Sequence, residues 1–103
     1  MTRVIIHPGI CGFTATIEVK RTEKRKVSIN IISDCEKVTS FGESLTELDV
    51  LDALRPRADS KVYAQASKLS LHVSCPVPVG VLKAIEVEAD LALPHDVAIN
   101  FET

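Results

Sequence analysis

The 103-residue chain has no apolar run near the ~18 residues that a membrane span needs, and no charged-then-apolar signal segment opens it. Positive charge is not in excess either. The formal net charge is −2, which gives no electrostatic case for a nucleic-acid-binding surface. Internal repeats, low-complexity tracts and linkers are missing. So are a CxxC pair, a nucleophile elbow, a paired-histidine motif and a Gly-rich phosphate loop. These absences point away from a membrane protein, a nucleic-acid binder and an ordinary hydrolase. They lead us to expect a cytoplasmic protein that is not an enzyme.

Cysteine occurs three times, an odd number, and a reducing compartment does not support a disulfide framework. Three roles are left for these thiols: buried packing, metal ligation and thiol chemistry. The rest of the composition, 46% hydrophobic and 25% charged, is ordinary for one domain spanning residues 1–103 with a single modest core.

The order of elements follows from periodicity. Thr2 to Ile6 reads as a short strand, followed by the loop His7-Pro8-Gly9-Ile10-Cys11-Gly12. Phe13, Ala15, Ile17 and Val19 alternate with Thr14, Thr16, Glu18 and Lys20, the pattern of a half-buried strand. Lys26 to Ile32 repeats it with Val27, Ile29 and Ile31, and the charged run Lys20 to Lys26 reads as the solvated tip of the hairpin between them. Ser33-Asp34-Cys35-Glu36 has the form of a capping box, with Ser33 as N-cap and a helix running to about Phe41 and stopping at Gly42. Ser44-Leu45-Thr46-Glu47 repeats that form and predicts a second helix with Leu45, Leu48, Leu51 and Leu54 inward, ended by Arg55-Pro56. On that helix Glu47, Asp49 and Asp52 read as surface. A third helix is expected over about Ser60 to Leu69. The last begins at Pro76 with Val81, Leu82, Ile85 and Ala89 inward and is ended by Pro94. Val97 to Phe101 has the pattern of a final strand. The expected fold is a two-layer α+β domain: an antiparallel three-stranded sheet packed by helices, with an additional C-terminal strand.

The cysteines fall at comparable places on this plan. Cys11 lies in a Gly-flanked loop, Cys35 where a strand turns into a helix, and Cys75 at a helix start. Unpaired N–H groups and the positive end of the helix dipole at such positions favour thiolate over thiol. The separations match no zinc-finger spacing.

The stretches "HPGICGF", "IISDCEKV" and "HVSCPVPVGVLKAIEVE" resemble the three cysteine motifs of the IscU/NifU N-terminal family of iron–sulfur cluster assembly scaffolds, in the same order and across roughly residues 3 to 92. Departures fall at Phe13, where that family carries an aspartate, and at Asp34 and Glu36, where it carries glycines. Ser74 replaces the family's histidine before the third cysteine. The resemblance implies an α+β fold on which Cys11, Cys35 and Cys75 converge to bind zinc or an iron–sulfur cluster. It also implies a cysteine desulfurase or an acceptor protein as partner. His72, three residues before Cys75, and Asp34, beside Cys35, are the candidates for a fourth ligand; His7 and His95 rank below them. Two alternatives stand beside this reading. One is a sulfur carrier or redox protein without metal, using Cys75 as nucleophile. The other is an interaction module with structural cysteines, in which Leu91, Leu93 or Pro76 to Val79 support a homodimer.

Overall fold

Alternating apolar and polar residues build the centre of the molecule. The computed structural model describes residues 1–102. Strands β1 (Thr2–Ile6), β2 (Ala15–Glu23) and β3 (Lys26–Ser33) are followed by helix α1 (Glu36–Glu43) and a short β4 (Glu47–Asp49). Two 3-10 turns, Val50–Ala53 and Arg57–Asp59, lead to helices α2 (Lys61–Lys68) and α3 (Val77–Glu88). The sheet is antiparallel throughout, with strand order β1-β2-β3-β4. The α+β class and the sheet with helices packed on it are as expected. The fourth strand, however, comes from the middle of the chain.

Ala15, Ile17 and Val19 of β2 and Val27, Ile29 and Ile31 of β3 are buried on one face, against Val77, Val81, Ala84 and Ile85 of α3 and Val38 and Phe41 of α1. Each large aliphatic buried here contributes about 1.5–3 kcal/mol. Gly80 lets α3 lie directly on the sheet: a Cβ there would stand 2.5 Å from Ile6 Cδ1 and 3.1 Å from Ile17 Cδ1. The far end of α3 is tied by Glu88, whose carboxylate accepts from Thr2 Oγ1 at 2.7 Å and from the Arg21 amide at 2.9 Å.

Several expectations are corrected. Phe13 lies outside β2 and is 47% exposed. Strand pairing starts only at Ile6↔Ala15, and the Gly9–Gly12 turn, closed by Gly12 N donating to Gly9 O at 3.0 Å, holds the preceding residues away from the core. Gly42 lies within α1 rather than ending it. A Cβ there would stand 2.8 Å from Ile31 Cβ, so close packing explains the glycine.

The expected helix from Ser44 does not form. Glu47–Asp49 instead pairs with Lys26–Ser28, placing Leu48 opposite Val27, and ion pairs Lys26–Glu47 (3.6 Å) and Arg25–Asp49 (3.5 Å) flank it. Leu45 and Leu48 are buried as expected, but Leu51 and Leu54 are exposed. Asp52 is not on the surface. It is buried, and it accepts from Ser60 Oγ (2.9 Å), Lys61 N (2.8 Å) and Val62 N (3.2 Å), satisfying the first free amides of α2 from outside that helix. Helix α3 ends at Glu88 rather than at Pro94, because Asp90 takes a left-handed φ of 61° and Leu91 N donates back to Glu86 O. Val97 to Phe101 forms no strand, and its side chains are exposed.

Candidate functional site

The sheet register decides where the cysteines lie. Ile6, Ala15 and Ser33 stand side by side across β1, β2 and β3. The loop carrying Cys11 joins Ile6 to Ala15, and Cys35 follows Ser33 by two residues, so both leave the same end of the sheet. The first turn of α3 packs on Ile6 through Gly80, which brings the segment before it, with Cys75, to that end as well. Lys37 Nζ donates to Ser70 O at 3.3 Å, tying α1 to the α2–α3 connection.

Local bonding differs at each thiol. Cys11 is exposed on a turn whose glycines take φ of 89° and 73°, conformations that a side chain would strain. Cys35 is half-buried and is itself the N-cap of α1, so the predicted capping box is displaced by two residues. Its amide donates to Ser33 Oγ at 3.2 Å, and its carbonyl accepts from the Thr39 amide and hydroxyl at 2.9 and 3.0 Å. Ser33 Oγ thus serves a turn two residues on, leaving the helix end without a side-chain cap.

Cys75 is half-buried, its amide donating to His72 O at 2.9 Å. Burial pushes the Cys75 thiol above its ordinary 9.0, the Val77 amide pulls it back, and the charges of Cys11 and Cys35 push it further up. This runs against the expectation that the helix mouth would favour thiolate, since desolvation outweighs the Val77 amide. All three are free thiols.

Convergence stops short of a closed ligand set. Among the described residues no group of three or more His, Cys, Asp or Glu stands close enough together to hold a metal ion. His72 and Asp34 are exposed near Cys75 and Cys35; His7 and His95 are also exposed. The chemistry on offer is three soft sulfur donors on three separate elements, one exposed and two half-buried. Asp52, which accepts from Ser60, Lys61 and Val62 and pairs with Arg55 Nη1 at 3.5 Å, is the polar centre that sequence reasoning missed. No local pattern marks it, because the three donors at the start of α2 lie eight to ten residues away, and the nearby Arg55 reads only as a surface i,i+3 pair. No helix of the described residues is long and apolar enough to cross a membrane.

The chain belongs to the family of unknown function DUF6951, whose family model matches residues 2–101. No curated protein and no solved structure matches it.

Proposed function

We propose that this protein binds a soft metal ion or an iron–sulfur cluster through Cys11, Cys35 and Cys75, with His72 or Asp34 or an external group completing the set. The observation that carries this reading is the convergence of three cysteine-bearing segments at the Ile6–Ala15–Ser33 end of the sheet. Three thiols suit zinc, ferrous iron or a cluster, and the bound group would supply Lewis-acid or electron-transfer chemistry there. The residues' own part is to donate sulfur and release protons. Because Cys75 is held protonated by burial, binding must displace that proton and draw the loop of Cys11 toward the other two. Affinity should therefore rise with pH. The order of the cysteine motifs supports the IscU/NifU-like comparison, and with it a cytoplasmic sulfur- or metal-trafficking role involving a cysteine desulfurase or an acceptor protein.

The metal-free sulfur-carrier reading is weaker, since it needs Cys75 as a ready thiolate. The test is metal and acid-labile sulfide content of protein purified without oxygen, beside Cys11→Ser, Cys35→Ser and Cys75→Ser. About one ion or cluster per chain, lost in each variant, is expected. No uptake after reconstitution with zinc, or with iron and sulfide, overturns the proposal.

A further inference from the structure

Two unpartnered halves of one β-ladder lie in this chain. β1 is an edge strand, bonded to β2 on one side, and among the described residues no strand bonds to the other. Edge strands in native proteins are usually short, charged, bulged or covered. β1 carries Arg3 as its one charged residue and has no proline. The second half is the C-terminal segment. Val97, Ile99 and Phe101 alternate with Ala98 and Asn100, and the three large side chains are 64%, 87% and 93% exposed. Residues 96–102 make no backbone hydrogen bond with another described residue. A β-branched and aromatic alternation left wholly in water lacks the partner its pattern suits.

We propose that residues 97–101 of one copy add antiparallel to the β1 edge of a second copy, and that the exchange is reciprocal. One register satisfies both sequences. Val4 opposite Ile99 places Thr2 opposite Phe101 and Ile6 opposite Val97, all on the core side, where Thr2, Val4 and Ile6 are already half-buried. The outer side then pairs Arg3 with Asn100 and Ile5 with Ala98. Asp96 falls opposite His7, and Glu102 falls diagonal to Arg3, whose side chain is 60% exposed. Acidic groups of the tail thus meet Arg3 of β1 and His7 just beyond it, and no like charges are opposed. A one-residue slip would turn Ile99 and Phe101 to water.

The occupant is a second copy because of where the tail departs. Glu88 holds the end of α3 beside Thr2, so a tail running straight along its own β1 would pair in parallel. Antiparallel pairing is the more stable of the two and is open to a tail arriving from another molecule. Reciprocal exchange closes with two-fold symmetry and buries both edges. This inference stands apart from the metal proposal.

Sedimentation of the full chain over a dilution series tests it, with Ile99→Asp and Phe101→Asp as variants. Both positions are exposed in the single chain, so the variants should keep the wild-type circular dichroism. The expected result is a dimer whose dissociation constant rises at least about tenfold in each variant. A monomer at all concentrations overturns the proposal. So does a dimer indifferent to both substitutions, or a monomer whose 97–101 amides are protected from exchange by its own β1.

Discussion

The two ends of α3 hold ionisable groups that behave opposite to the helix dipole. Glu88 sits at the negative C-terminal end, yet its carboxyl is lowered from 4.5: burial works against this, but the Arg21 amide, the Thr2 hydroxyl and the N-terminal ammonium outweigh it. Cys75 precedes the positive N-terminal end, yet burial raises its thiol. The dipole contributes about 0.3–1 kcal/mol at such positions; the direction at Glu88 follows its direct hydrogen bonds and at Cys75 its desolvation. The two ends therefore have different uses. At the Glu88 end both carboxylate oxygens are occupied, and the helix is anchored to β1 and β2. At the Cys75 end one amide faces a protonated sulfur, and two further thiols lie nearby.

The comparison is broken most severely by removing the surface on which both ends rest. Ile17→Ala, beneath the first turn of α3, should cost about 3–4 kcal/mol by urea denaturation, within the range for buried Ile to Ala. Gly80→Val should cost about 2 kcal/mol by overpacking against Ile6. It should also slow metal uptake, because it lifts Cys75 from the other two thiols.

Glu88→Gln should cost about 1 kcal/mol near neutral pH. The folded-state carboxyl lies below its unfolded value, so its contribution is present above pH 4.5 and is lost as pH falls through the lowered value. Melting temperature against pH should therefore flatten on the acid side in this variant. Cys75→Ser should have the smallest effect at neutral pH. Its thiol is raised above 9.0, so its contribution is present below that pH and is lost as pH climbs through the folded value. The variant should lose less stability than wild type above pH 9.0.

The hairpin, α2 and α3 were legible because their periodicity is local and their burial follows it. Ala15, Ile17, Val19, Val27, Ile29 and Ile31 all face the core. The segment after Ser44 was misread because a capping-box pattern with leucines at helical spacing also suits a short strand. Its fate is decided by pairing with Lys26–Ser28, a contact invisible to a local window. Asp52 was missed for the same reason. At the candidate site the loop and helix-start positions of the cysteines were readable from glycines, prolines and pattern changes. The protonation of Cys75 was not, because it depends on how deeply the α3 mouth is packed.

The most direct test of a shared three-cysteine site is the alkylation rate of each thiol, followed by mass spectrometry, with and without zinc. Without metal, exposed Cys11 should react fastest and Cys75 slowest. With zinc, all three should become protected together at about one ion per chain. Protection of one cysteine alone, or none, would contradict the account.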